Sequence, residues 1–382
     1  MSMKKILLII PLILILTGCY NYRELNDLSI VSAINISKEN KQYVVNVQVV
    51  NPKKDTDTSS SNEPDFIVYK SKGKSLQEAF RLIVKESPKK IYGTQMHLLI
   101  IDEALAKEGI NDILDFFARD PEVRKEFFVM ISKEKNILEI LTPLDNISSK
   151  NISDSLKSNS KYLGTTTLVT FNDLLANYQN DKTELTLPVI ELKGNKNQGK
   201  TEENLETTKA DASVVLSTIG VFKNNKLLGY LTEEQAIGYN LITGHITNTL
   251  ITTNYNDGYI VNELIKVKSQ TEAIPEKNKI KITIQGNAAI SEVEHKIDLT
   301  KEKNIKKVQN DINDKIKKII TTTIQETNKQ YNSDIYAFQD LFYKTNPSYY
   351  KTIKKNWDTN IMPQIKYEVS SNIKIVEQGN ML

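Results

Sequence analysis

Gly220-Val221-Phe222-Lys223-Asn224-Asn225-Lys226-Leu227-Leu228-Gly229-Tyr230-Leu231-Thr232-Glu233-Glu234-Gln235-Ala236-Ile237-Gly238-Tyr239 holds, in one run, a strand, a turn, a second strand and a helix start. Asparagine tolerates left-handed backbone angles, so Asn224-Asn225 marks a tight hairpin in which Ile219 to Phe222 pairs with Lys226 to Leu231. Thr232 and Gln235 have the spacing of a capping box, which opens a short helix that Gly238 or Gly244 ends. Strand and helix signals alternate in the N-terminal region as well, a rhythm that argues mixed α/β or α+β there, and the chain as a whole is expected to be α+β.

Toward the C-terminus the same alternation continues. Strands His245 to Thr253 and Tyr259 to Lys268 flank Asn256-Asp257-Gly258, a hairpin signal, and Lys279 to Gln285 and Ala288 to Val293 add further strand. From Leu299 to about Asn328, apolar residues at Ile305, Val308, Ile312, Ile316, Ile319 and Thr323 keep helical spacing and predict one long amphipathic helix. Packing on the sheet is its expected role, and partner binding is the sharper alternative. The tail runs through Ile335 to Asn346, Pro347, an aromatic pair, Trp357 and Ile365 to Val376. Trp357 is expected in the core rather than in a cofactor box.

Toward the N-terminus lies Lys193 to Thr208, which has almost no apolar residue beyond Leu205. Such a run buries too little surface to offset its ordering entropy, so 193–212 is expected as a polar linker or exposed loop. It separates an N-terminal region, 19–192, of one domain or two, from a C-terminal α+β domain, 213–382. Leu28 to Ile36 and Tyr43 to Val50 predict a hairpin, and Phe66 to Tyr69, Met96 to Ile101, Phe127 to Ile131 and Leu185 to Leu192 further strands. Helices are expected after the Ser75-Leu76-Gln77-Glu78 capping box, over Ile110 to Ala118, and near 147–160 and 172–178. Asp55-Thr56-Asp57 lacks the glycine and distal glutamate of a calcium loop, so no metal is expected there.

The chain opens with Lys4 and Lys5, then an apolar run from Ile6 to Leu16 broken only by Pro11. That layout is a secretory signal, 1–18, and is too short for a hydrocarbon layer that needs about 20 apolar residues. It ends Leu16-Thr17-Gly18-Cys19, and Cys19 is the only cysteine among 382 residues. The stretch resembles the bacterial lipoprotein box. The resemblance implies cleavage behind Gly18 and a diacylglyceryl thioether on Cys19, an anchor without a transmembrane span in the mature chain.

Composition narrows the chemistry. Apolar residues at 39% and charged residues at 25% describe a globular chain, and a net charge of +3 loses Lys4 and Lys5 with the signal. The only arginines are Arg23, Arg81, Arg119 and Arg124, which supports no nucleic-acid role. With Cys19 committed to lipid, no thiol is left for a disulfide or a nucleophile. His97, His245 and His295 are isolated, and neither a Gly-x-Ser-x-Gly elbow nor a phosphate-cradling glycine loop occurs. Neither an enzyme nor a cofactor beyond the lipid is therefore expected, although acidic residues that converge only in the fold leave a glycosidase-like pair open.

Three blocks carry a resemblance to a known family. Cys19 and Tyr20, then Glu24-Leu25 before an apolar strand, form the first. Phe222, Gly229, Tyr230, Leu231, Glu234 and Gly238 stand in the second, and Trp357 in the third. Together they resemble the Ger(x)C family, the lipoprotein C subunits of nutrient germinant receptors in endospore-forming bacteria. The departures are Tyr20 for tryptophan, Asn21 for aspartate, Tyr349 or Tyr350 for a further tryptophan, and Ala337-Phe338-Gln339-Asp340 for a glycine-rich segment. The resemblance implies three α+β domains of mixed sheets and packed helices. It also implies a lipid-anchored subunit on the outer face of the spore inner membrane, working with a multispanning A subunit and a transporter-like B subunit. Whether it binds the nutrient itself is left open. The alternatives are a solute-binding lipoprotein that delivers a ligand to a transporter, and an anchored cell-wall enzyme.

Overall fold

The structure is a computed structural model that describes residues 27–51, 66–141, 149–197, 211–294 and 297–377. Gly18, Cys19, Glu24, Leu25, the 55–57 segment and His295 lie outside the described residues. The chain opens with β1 (Leu28–Glu39), which turns at Asn40-Lys41, both at positive φ, into β2 (Gln42–Val50). Next come β3 (Phe66–Gly73), α1 (Leu76–Leu82), β4 (Lys90–Tyr92), β5 (Leu98–Asp102), α2 (Glu103–Glu108) and α3 (Asn111–Arg119). β6 (Phe128–Ser132), α4 (Ile137–Leu141), α5 (Ser149–Tyr162), α6 (Phe171–Gln179) and β7 (Thr186–Gly194) complete this part. The rest runs β8 (Ala212–Lys223), β9 (Lys226–Tyr230), α7 (Glu233–Thr243), β10 (Thr249–Tyr255), β11 (Gly258–Ile274), β12 (Lys279–Val293), α8 (Glu302–Tyr331), α9 (Phe338–Thr345), α10 (Pro347–Ile353) and β13 (Lys366–Glu377).

Two mixed sheets result. The first has the order β3-β2-β1-β5-β6-β7-β8-β9, with β4 beside the start of β1. Its centre, β1-β5-β6-β7, is parallel, and its flanks are antiparallel. Parallel strands need cover on both faces, and the alternation of side chains supplies it. Ile34, Ile36, Leu99, Ile101, Val129 and Ile131 pack one way, against α1, α2, α3 and α6. Ala33, Leu98, Ile100 and Met130 pack the other way, against Ile137 and Leu138 of α4 and Ile152 and Leu156 of α5.

The second sheet is β10-β11-β12-β13, with β13 parallel to β12. Ile280, Ile282 and Ile284 of β12 share a core with Val308, Ile312, Ile316 and Ile319 of α8. The predicted long helix therefore exists, and it packs on the sheet as expected. Lys279 to Val293 is one continuous strand, since Gly286-Asn287 keeps its pairing with β13.

The expected division ahead of residue 213 is not a division between sheets. β8 pairs with β7 and β9, so both strands of the opening hairpin complete the first sheet, and 193–212 lies between paired neighbours. The polar composition is that of a connection, while β8 itself serves two cores: Phe222 packs into the first and Ile219 and Val221 into the second. Among the described residues no helix is long and apolar enough to cross a membrane.

Candidate functional site

The sequence-marked residues of the second and third blocks gather along the seam where the first sheet meets α7, α8 and α9. Asn224 and Asn225 take positive φ, 50° and 61°, as the hairpin requires. The turn delivers Gly229 beneath the ring of Tyr331, where an added Cβ would sit 2.9 Å from ring atoms. Tyr331 then donates its hydroxyl proton to the carbonyl of Tyr230 at 2.8 Å. A glycine is needed here for close approach.

Thr232 and Gln235 form the reciprocal capping box that opens α7. Gly238 lies inside that helix, which Gly244 ends at φ 74°. A Cβ on Gly238 would stand 2.2 Å from Thr323 Oγ1, so α7 and α8 touch almost backbone to side chain. Gln235 Nε2 donates to Glu326 at 2.8 Å, and Glu234 pairs with Lys315 at 2.5 Å on the exposed rim. An exposed pair of this kind contributes about 0–1 kcal/mol.

Leu231 is buried in the second core and Phe222 in the first. The Phe222 carbonyl accepts from Ser333 Oγ at 2.5 Å, its amide donates to Leu185 O at 3.0 Å, and Lys223 pairs with Asp358 at 2.9 Å. Next to Asp358, Trp357 is 2% exposed and meets Phe342 edge-on, with ring centroids 5.1 Å apart. It is a core residue, as its sequence context predicts. Sequence reasoning missed the receiving side: Tyr331, Thr323 and Ser333 lie 85 or more residues downstream of the glycines and phenylalanine they meet, and no local pattern marks them.

Two buried carboxyl groups stand apart from this seam or beside it. Burial pushes Asp102, at the carboxyl end of β5, up to about 6, against the amide of Asn35, which donates to it at 2.7 Å. Burial likewise pushes Asp334 up to about 7, although the Gln339 and Phe338 amides donate to it at 2.6 and 3.0 Å and so cap α9. Burial lowers both His97 and His245.

The described residues form open grooves, four of which bear on the site. One of about 660 Å³ holds Leu28, Tyr92 and Arg124, and one of about 630 Å³ holds Tyr43, Asp112 and Arg119. A third, about 450 Å³, is lined by Phe80, Arg81, Val84 and Phe116, and these three share Glu122. The fourth, about 510 Å³, runs between α5 and β8. None of the four is lined by Asp102, Asp334, His97 or His245. Among the described residues no group of three or more His, Cys, Asp or Glu could hold a metal ion.

A family model described as the spore germination protein N-terminal domain matches residues 21–192, and one described as spore germination B3/GerAC like, C-terminal, matches 217–379. The chain belongs to the Ger(x)C family. Its sequence is 26% identical to spore germination protein KC of Bacillus subtilis (strain 168), over 96% of this chain and 93% of the relative. Spore germination protein B3 of the same organism is 22% identical over 97% and 96%. A crystal structure of the GerBC protein superposes with a TM-score of 0.53, covering 90% of this chain and 96% of that one at 15% identity, a likeness of fold. The Ger(x)C residues of the second block, read from sequence as signatures, are thus mostly the contacts that lock the two sheets together.

Proposed function

We propose that this chain is the lipid-anchored C subunit of a nutrient germinant receptor. It is held to the outer face of the spore inner membrane through Cys19 and assembles with membrane-embedded A and B subunits. The observation that carries this reading is the order of matches along one chain: two germination family models covering 21–192 and 217–379, directly behind a Leu-Thr-Gly-Cys box. Two acyl chains on Cys19 give stable anchoring where one gives marginal binding, and confinement to the membrane plane raises the effective concentration at membrane partners. Its role is assembly rather than catalysis, and the lipid is the only covalent group it needs. The solute-binding alternative calls for an enclosed pocket between lobes; the grooves that hold Leu28, Tyr43 and Phe80 are instead open and lie along the first sheet and its helices.

The test is Cys19→Ala in the spore-forming host. The substituted protein should leave the inner-membrane fraction and nutrient-triggered germination should slow, with vegetative growth unchanged. Tight membrane retention of the variant overturns the anchor. Release with germination intact, across nutrients and in a strain lacking related receptors, overturns the receptor role.

A further inference from the structure

Eight residue steps lead from Cys19 to Asp27, where the described chain begins. At no more than about 3.6 Å per residue they reach less than about 30 Å, so the anchor holds the Leu28 end of the first sheet close to the lipid. Leu28 shares its groove with Arg124, and the adjoining groove, which shares Glu122 and Val123, is lined by Arg81, Val84 and Lys90.

The three described arginines, Arg81, Arg119 and Arg124, each line one of the three grooves that share Glu122, and the fourth, Arg23, falls between Cys19 and Asp27. Arg119 is engaged by Asp115 at 2.9 Å and Lys90 by Glu122 at 2.9 Å. Lys125 turns inward to the carbonyls of Phe117 and Asp120. Among the described residues Arg81, Lys85, Lys89 and Arg124 pair with no carboxylate, and the nearby Asp120 and Glu86 accept from the backbone amides of Glu122 and Lys70. Val84, between Arg81 and Lys85, is 63% exposed, the most exposed large apolar side chain described. An exposed apolar tip on a stretch that carries unpaired cations is the chemistry of a bilayer interface: the tip enters the acyl boundary and the cations meet phosphate.

We propose that the face formed by Arg81, Val84, Lys85, Lys89 and Arg124 docks on an anionic phospholipid surface. It thereby fixes the orientation of the ectodomain over its tether. This rests on the Cys19 anchor. Each cation near an anionic surface favours the docked state roughly fivefold, so four suffice to order a domain that the tether already confines.

The experiment uses the acylated full chain bound to vesicles of phosphatidylcholine with about a third phosphatidylglycerol. Acylation blocks the Cys19 sulfur, so Val84→Cys introduces a single labelling site for a fluorophore; Leu250→Cys, on the second sheet and also exposed, is the control. Quenchers on the acyl chains should reach the label at 84 and not at 250. Neutralising charge with Arg81→Gln, Lys89→Gln and Arg124→Gln together should cut the docked-to-undocked ratio about a hundredfold, and vesicles without phosphatidylglycerol should cut it by several hundredfold. Equal water exposure at 84 and 250, in a chain that floats with the vesicles, overturns the docking face while leaving the anchor standing. Shielding of 84 from water without acyl-chain quenching also overturns it, and assigns the groove to protein. Failure to float overturns the anchor, and the docking face with it.

Discussion

A missing methyl at Gly238 sets the distance between two helices. Glycine inside a helix costs about 1 kcal/mol relative to alanine, so Gly238→Ala would stabilise α7 if the position were open. It faces Thr323 Oγ1 at 2.2 Å from the would-be Cβ, and the clash wins. Overpacking of this kind costs about 1–3 kcal/mol, so denaturant unfolding should show Gly238→Ala less stable than the parent. Adding Thr323→Ala should recover part of the loss; two strictly additive losses would mean the helices do not meet there. The sequence allowed two readings of Gly238, and only Gly244 carries the positive φ of a helix end. A glycine that stops a helix and one that admits a neighbour look alike until the neighbour is known.

Asp102 gives a second residue-scale consequence, with a definite sign. Its folded pKa, about 6, lies above its ordinary value near 3.8, so the fold binds this proton more tightly than the unfolded chain. The contribution is complete below about pH 4 and is lost as pH rises through 6, an effect of roughly 3 kcal/mol. Asp102→Asn should flatten the stability profile between those limits. Asp334 titrates in the same direction in both proteins and cancels in the difference. A variant profile parallel to the parent's would show that Asp102 is solvated.

At the scale of the element, the turn of the β8–β9 hairpin and the helix cap behind it were legible because their signals are local: two asparagines for the turn, and Thr232 and Gln235 for the cap; the stretch of β8 from Ala212 to Thr218 was not. Nor was the allegiance of the hairpin. Sequence order ties it to the C-terminal half, whereas backbone pairing ties it to β7. Replacing Phe222 by alanine should cost about 3–5 kcal/mol through loss of packing in the first core, and Leu231→Ala about 2–5 kcal/mol in the second. The check is equilibrium unfolding of each variant, and a near-neutral change in either would place that side chain in solvent. For α8 the period of its isoleucines named the buried face correctly. It said nothing of Asn313, whose side-chain amide bonds both the N–H and the C=O of Ile373 and so covers the outer edge of β13 as a further strand would.

For the whole molecule, the sharing of β8 decides how the chain unfolds. Polar composition over 193–212 suggested a linker or exposed loop between two regions. The fold gives Ile219 and Val221 to one core and Phe222 of the same strand to the other, and Ser333, Tyr331 and Asp358 tie the following helices back to that hairpin. Neither core keeps its cover if β8 leaves, so the two should be lost together. Trp357, the only tryptophan, sits in the second core and reports that half alone, while far-ultraviolet circular dichroism averages over both. In urea the two signals should follow one curve, and Phe222→Ala, a change in the first core, should move the Trp357 transition by the same amount as the dichroism. A tryptophan transition that stays in place while the dichroism shifts would separate the halves, and would return the boundary to the polar run where composition put it.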